Sequence, residues 1–460
     1  MKSVQRSWWR RPSRVIPIAF VSLMVLGLAG FKMASGLGLN RELEEIRAKG
    51  LPANPKELDA WYKPVPESEN IAASVLKASA VLVLPAEDQN PDMLYSWRDV
   101  RKGERLPALL AAAASEYVGK NQETIDLLQT VPAHGRSRYP VDVSGNDVNP
   151  ILRSIRSMTQ LLRWDAILKA ENGDAAGAGR SLRAGFALAD SLKDEPVLIS
   201  TLIRITCATV QVDAVAQAVN RVQFDDGALA EIAALALETE KAGKESFYRA
   251  MVGELVLGIS NFREVTFEQY EQIRGMGFGP AWYANVPYPG RMVLFRFRKA
   301  SGMHNSDFSF FVEEMRRLVR AAELDHTEML RDTVAAFKEM NEEFDAHPIR
   351  LMNSSLRLFS LERSAQKEVM LAARLRCLRG ALAVERFRMS HEGRMPSVEE
   401  LVPNYLDAWL RDPVNNEPLA LEEQSTGGFR VIAKGASALQ NTGRPTTSTN
   451  WQDVAFVFEK

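Results

Sequence analysis

The chain has two cysteines, five histidines and a formal charge of −1 across 460 residues, and each scarcity removes a class of function. Cys207 and Cys377 stand far apart in apolar helical patterns with no C-x-x-C spacing, which excludes the common dithiol redox and zinc arrangements. A lone cysteine in such a stripe reads as a small buried hydrophobe; a disulfide between the two is the alternative in an oxidising compartment. His134, His304, His326, His347 and His391 form no H-E-x-x-H and no paired spacing, so no metal site is expected. Asp325-His326-x-Glu328 sets an acid beside a histidine, and at a polar helix start it reads as a solvated face. No G-x-S-x-G nucleophile elbow and no Walker-type loop occurs, and GMGFGP at 275–280 has glycines without the flanking strand and helix of a dinucleotide loop. No catalytic residue and no cofactor is therefore expected. With 57 Lys and Arg against 58 Asp and Glu, a dedicated nucleic-acid binder is not expected either.

What is present is unevenly distributed. Residues 1–14 hold five basic residues (Lys2, Arg6, Arg10, Arg11, Arg14) and no acid, leaving 52 basic against 58 acidic residues in the rest. The next seventeen residues, Val15 to Phe31, carry no charge. As a helix they span about 26 Å, near the short end for crossing a bilayer. Pro17 falls in the first turn, where its missing N–H costs little, and Trp8 and Trp9 suit an interfacial belt. The basic tip places residues 1–14 in the cytoplasm, a membrane anchor at 15–33, and the body across the cytoplasmic membrane in the periplasm. A cleaved signal, with a cut near Gly27 or Ala29, is the alternative. Gly30, Ala34 and Gly38 recur every four residues, a spacing that suits either a homo-oligomer contact between membrane helices or a flexible exit from the membrane.

The body, 46% hydrophobic and 25% charged overall, is globular in composition and reads as mainly α. A helical hairpin domain is expected over 40–265, an aromatic loop with further helices over 266–363, and a long helix with a small α+β end over 364–460. The first domain opens on a short polar helix that stops at Gly50 and on a helix from Asn54-Pro55 to Trp61-Tyr62, whose aromatic pair suits packing onto the core more than a ligand platform. Helices follow over Leu106–Leu128, Ile151–Ala170, Ala175–Leu192, Pro196–Val219, Gly227–Ala242 and Lys244–Phe262, with loops at 84–106 and 131–149. The segment from Arg163 to Pro196 resembles one tetratricopeptide-like hairpin, with Ala178, Leu182 and Gly185 at the nesting face. No second copy keeps a fixed register, so an irregular hairpin stack is expected. Arg204 and Asp213 are the only charges between Val197 and Val219 and lie on nearly opposite helix faces. Each needs a partner from another helix; Glu254, in the apolar run MVGELVLG, is a candidate for Arg204. Residues 275–290 hold Trp282, Tyr283 and Tyr288, which suit either a binding surface or rings folded onto the helices. These three aromatics with Arg204 and Glu254 are the candidate ligand or partner surface.

Further helices are expected over Asp307–Glu323, His326–Glu343 and Ser364–Met389. In the last, Val369, Ala373, Cys377, Gly380, Val384 and Phe387 share one face. EPLALEE, GGFRVIAKG and DVAFVFEK then alternate as short strands of an antiparallel sheet leaning on that helix.

The stretch from His391 to Gly435 resembles the end of type II secretion pseudopilins: a long helix, then Gly393, Pro396, the Leu401/Pro403/Leu406 spacing, Asp412-Pro413, Pro418-Leu419 and a closing strand with Gly435. The pseudopilin methylation motif is missing, and VIAKGASALQNTG replaces the acidic calcium loop, so the resemblance implies neither pilus assembly nor a calcium site. The whole chain resembles a loose group of uncharacterised single-pass bacterial envelope proteins sharing the anchor, a G-L-P-x-N/T-P-x-E-L-x-x-W-Y segment (Gly50–Tyr62) and the same ending. That resemblance implies location and architecture, with no assigned activity. Three functions stand open: a non-enzymatic interaction or scaffolding module with a protein partner in the envelope, an accessory component of a secretion or pilus-like assembly, and a cell-wall hydrolase using a buried carboxylate.

Overall fold

A computed structural model of the chain describes residues 41–85, 103–132, 135–141, 150–275, 281–358, 361–425, 427–435 and 454–459. The basic tip, the 15–33 segment and Gly30, Ala34 and Gly38 lie outside the described residues. So does most of the two expected loops. Among the described residues the chain is mainly helical with one small antiparallel sheet, as its patterning predicts. The helices are α1 (Pro55–Trp61), α2 (Ala72–Ala80), α3 (Ala108–Lys120), α4 (Gln122–Gln129), α5 (Ile151–Glu171), α6 (Ala175–Asp190), α7 (Leu198–Val219), α8 (Asp226–Glu264), α9 (Phe267–Gly275), α10 (Tyr288–Ser301), α11 (Met303–Glu323), α12 (His326–Ala346) and α13 (Leu361–Ser390). Short helices at 41–48, Ala281–Ala284, Met352–Leu358 and Val398–Leu401 complete the set. The chain divides into two compact units, a smaller one of residues 1–54, 255–317 and 336–360 and a larger one of 55–254, 318–335 and 361–460.

In the larger unit α5, α6 and α7 pack on one another, and α7 also meets α13. Helix α7 is the one helix among the described residues long and apolar enough to cross a membrane, yet 67% of that stretch is buried by its neighbours. Its apolarity serves the core: Ile205, Ala208, Val212 and Val215 are all buried. Local chemistry sets the helix starts. Gly173, at φ 79°, reverses the chain after α5, and the Asp174 carboxylate then accepts the Gly177 N–H at 2.7 Å to cap α6. Asp225 likewise accepts the Ala228 N–H at 2.7 Å at the start of α8.

Helix α8 corrects one expectation. The two helices expected on either side of Gly243 are one helix of 39 residues. The glycine is there for close packing instead of a stop: a Cβ at 243 would stand 2.2 Å from the Glu368 carboxylate. Gly253 works the same way, since a Cβ there would stand 1.9 Å from the Pro196 carbonyl.

The expected stripe on α13 is buried throughout, from Val369 to Phe387. The sheet lies on it in the order β1 (Ala420–Glu423), β2 (Phe429–Ala433), β3 (Val454–Phe458), all antiparallel. Phe429, Val431 and Ala433 face inward while Arg430 faces out, the period-2 signature of a sheet with one wet face. Asn220, at the end of α7, donates to the Val457 carbonyl at 3.0 Å and accepts the Glu459 N–H at 2.8 Å, which ties β3 to the helices.

The smaller unit is aromatic. Phe262 meets Phe308 edge-on at 5.3 Å and Phe311 at 5.6 Å, and Gly258 leaves the space that the Phe311 ring fills. A second cluster gathers Val265, Phe267, Tyr270, Tyr283, Phe295 and Met352.

Candidate functional site

One group of the larger unit's buried polar side chains comes together from five of its helices. Asp190 ends α6, Arg204 is the seventh residue of α7, Thr239 and Gly243 lie on α8, and Glu368 lies on α13. The Asp190 carboxylate accepts Arg204 Nη2 at 2.6 Å and the Thr239 hydroxyl at 2.8 Å. The same Nη2 donates to the Thr239 carbonyl at 2.6 Å. Glu368 stands across the gap left by Gly243, where a Cβ would sit 2.2 Å from its Oε1 and 3.0 Å from Arg204 Nη1. His326, the first residue of α12, brings Nε2 to 3.8 Å from that Oε1, outside hydrogen-bond reach. Arg204 is 0% exposed, Glu368 1%, Thr239 1%, Asp190 5% and His326 6%. Four of the cluster's buried polar atoms have no hydrogen-bond partner among the described residues: Arg204 Nε and Nη1, Glu368 Oε2 and His326 Nε2.

Two expectations change here. Arg204 takes its partner from another helix, but that partner is Asp190 instead of Glu254, which is half-buried further along α8. His326 is not on a solvated face; α13 covers it, because Glu368 sits at a core position among Ala365, Val369 and Ala372.

Asp213 has its own tie, accepting Arg163 Nε from α5 at 3.0 Å. The Arg163 guanidinium lies 4.6 Å over the Trp164 ring, with both Nη atoms buried and without partners. Burial lowers its affinity for the proton, and the Asp213 charge works in the opposite direction. Arg221 reaches Glu171 at 3.3 Å, and Lys169 reaches Asp165 at 2.6 Å. Nearby, Tyr139 Oη and Ser191 Oγ are 2.7 Å apart; burial and the Glu195 charge both raise the phenol, Tyr62 included. Tyr62 is buried under the Arg138 guanidinium, 4.2 Å from its ring centroid, so the Trp61-Tyr62 pair does pack a helix end onto the core.

The cluster holds two carboxylates, an imidazole and a guanidinium, which can pass and stabilise protons. It offers them to nothing outside: every member is enclosed by the helices that carry it. Its geometry is that of ties between helices. Cys207 and Cys377 are both buried free thiols, and burial pushes them up to about 11 and about 12. Among the described residues no group of three or more His, Cys, Asp and Glu side chains is placed to hold a metal ion.

The three aromatics belong to the smaller unit, whereas Arg204 and Glu254 belong to the larger. Tyr283 is fully buried and meets Tyr270 edge-on at 5.4 Å. Trp282 is partly buried against the same cluster, with its indole N–H unpartnered. Tyr288 opens α10 at 50% exposure, its ring 5.3 Å from Phe267. Arg291 holds this corner together, reaching Glu271 at 2.7 Å and the Val286 carbonyl at 2.6 Å. Asp190, Arg163 and Glu368 were not singled out from the sequence, and His326 was read as solvated; of the first three only Glu368 has mostly apolar neighbours three and four residues away, in Ala365, Leu371 and Ala372.

Comparison of the chain with protein-family models, with curated proteins and with solved structures gives no match.

Proposed function

We propose that the chain is a membrane-tethered, non-enzymatic helical scaffold of the bacterial cell envelope, anchored through residues 15–33 with residues 1–14 in the cytoplasm and its body in the periplasm. The observation that carries the scaffold reading is the use made of the two charges in α7. Arg204 and Asp213 face opposite sides and each is drawn into an ion pair with a different helix, Asp190 of α6 and Arg163 of α5. Charges spent this way fix helix positions and are unavailable to a substrate. The α5–α6 hairpin is tetratricopeptide-like in the sense that small residues set its spacing, and Gly185 admits the Gln211 side chain of α7, whose amide would lie 2.2 Å from a Cβ. Such a body presents surface to a protein partner in the envelope. Its acidic excess beyond residue 14 makes nucleic acid a poor partner. Gly30, Ala34 and Gly38 are the positions through which two anchors would meet.

The test is the full chain in spheroplasts. The expected result is that it stays in the membrane fraction at alkaline pH and that added protease removes the body. Release at alkaline pH, or a body that protease cannot reach, overturns the reading.

A second reading, an accessory of a secretion or pilus-like assembly, is favoured by one feature of the C-terminal end. Asp412 and Gly435, both part of the pseudopilin-like pattern, are joined by a 2.7 Å hydrogen bond from the Gly435 N–H to the Asp412 carboxylate, which also accepts the Val414 N–H at 2.9 Å. Loss of the gene with no change in secretion or surface appendages disposes of this reading.

A further inference from the structure

The smaller unit carries a helix whose outer face has no partner among the described residues. Helix α10 buries Phe295, Arg298 and Ser301 and leaves Pro289, Val293, Arg296, Phe297 and Ala300 exposed. Those positions follow the i, i+4, i+7, i+8, i+11 spacing of one helical face. Val293 is 67% exposed, and Phe297 and Tyr288 are each 50% exposed. Val293 and Phe297, one turn apart on that face, form an open apolar pair, whereas Tyr288 lies on the other side of the helix against Phe267 and under Arg291. The charge around them has one sign: α10 holds Arg291, Arg296, Arg298 and Lys299 and no acid. Arg298 turns inward to Asp307, Arg291 pairs with Glu271, and Lys299 Nζ donates to the Val265 carbonyl at 2.8 Å, so among the described residues the cation left on the exposed face is Arg296.

The position of the chain supplies the occupant. Residues 41–54 belong to this same smaller unit, and the anchor proposed above ends at residue 33. Eight residues span at most about 29 Å, so the tether holds the smaller unit close to the bilayer it leaves. An apolar pair with one aromatic ring beside that unpaired arginine is the chemistry of a helix lying in a headgroup region that contains anionic lipid.

We infer that α10 is a second membrane contact, resting on the outer leaflet with Val293 and Phe297 in the acyl–headgroup boundary and Arg296 at the phosphates. This inference rests on the anchor reading for its proximity argument, so the test reads the two separately. The full chain is reconstituted in vesicles of phosphatidylethanolamine and phosphatidylglycerol, carrying a polarity-sensitive dye at one introduced cysteine. The native Cys207 and Cys377, buried and protonated, stay unlabelled, which labelling of the unaltered chain checks directly. The label is placed in turn at Phe297→Cys, at the exposed control Glu123→Cys of the larger unit, and at Val25→Cys within the anchor.

The expected result is a blue-shifted Phe297→Cys emission that spin-labelled lipid strongly quenches, with Glu123→Cys unquenched. The shift shrinks when phosphatidylglycerol is omitted or when Arg296→Glu is added. An emission at Phe297→Cys that matches the control overturns the inference, and quenching at Val25→Cys in that case leaves the anchor standing. A blue shift without lipid quenching also overturns it, because protein then covers the face: a second copy if the shift grows with protein concentration, this chain if it does not. Quenching at Phe297→Cys but not at Val25→Cys supports the surface contact and removes the anchor.

Discussion

Both units bury an arginine against an aspartate, and the two pairs are built differently. In the larger unit Arg204 meets Asp190 between helices, the aspartate has one further donor in the Thr239 hydroxyl, and Arg204 Nε and Nη1 go unpartnered. In the smaller unit Arg298 reaches Asp307 at 2.5 Å, and that carboxylate also accepts the backbone N–H groups of Asn353 at 2.9 Å and Ser354 at 3.1 Å and the Ser354 hydroxyl at 2.5 Å. Asn353 and Ser354 open the short helix Met352–Leu358, so Asp307 acts as that helix's cap from a different helix. The first carboxylate takes only side-chain donors, Arg204 donating besides to the Thr239 carbonyl, whereas the second carboxylate also takes backbone donors from the first turn of a helix. Side-chain ties can be replaced together, whereas backbone donors remain whatever the side chains become.

The contrast is broken hardest by Asp307→Ala. It leaves a buried guanidinium without its counter-charge and two buried backbone N–H groups without their acceptor, while the Ser354 hydroxyl keeps the Asp307 carbonyl and Arg298 keeps the Arg350 carbonyl, and it is expected to cost about 3–5 kcal/mol. Native-state amide exchange, read in the helices of the smaller unit, measures it; a loss below about 1 kcal/mol contradicts the cap role. Next in size is Gly243→Ala in the larger unit. The new methyl collides with Glu368 Oε1, so a buried carboxylate must move, and the expected cost is about 1–3 kcal/mol despite alanine's better helix propensity. A stabilised Gly243→Ala chain removes the close-packing account of the 39-residue helix. Smallest in energy is the state of the two thiols, both in the larger unit. Raised by burial to about 11 and about 12, they carry little thiolate near neutral pH, and that little grows only as pH climbs toward those values. Alkylation of the folded chain at about pH 8 is therefore expected to be at least about tenfold slower than in denaturant. Equal rates contradict the buried placement.

The periodic parts of the chain were legible and the paired parts were not. The α13 stripe, the three strands and the α6 start follow from apolar spacing and from turn residues such as Asn172-Gly173-Asp174, all of which are local. That Arg204 and Asp213 needed separate partners also follows from helix rotation alone. Which partners they found did not. Asp190 and Arg163 are ordinary-looking charges on helices that only the packing of α5, α6 and α7 brings beside them. Gly243 misled for a similar reason: a mid-helix glycine and a helix stop look alike until the carboxylate of Glu368, more than a hundred residues away, fills the space. His326 was obscured by the polar residues around it, since its burial comes from α13. The aromatic segment divides in the same way, Tyr283 joining the core and Tyr288 staying half exposed.

The claim at the centre of this account is that the interior charges of the larger unit are replaceable ties between helices. It is tested most directly by comparing the apolar double replacement of each pair, Arg204→Met with Asp190→Leu against Arg298→Met with Asp307→Leu, each beside its single aspartate variant. For the larger unit, Asp190→Ala alone is expected to cost about 3–5 kcal/mol by leaving Arg204 buried and unpaired, and the double replacement to recover most of that loss. For the smaller unit the double replacement is expected to recover little, because the Asn353 and Ser354 N–H groups still lack an acceptor. Equal recovery in both units, or none in the larger, would contradict the account.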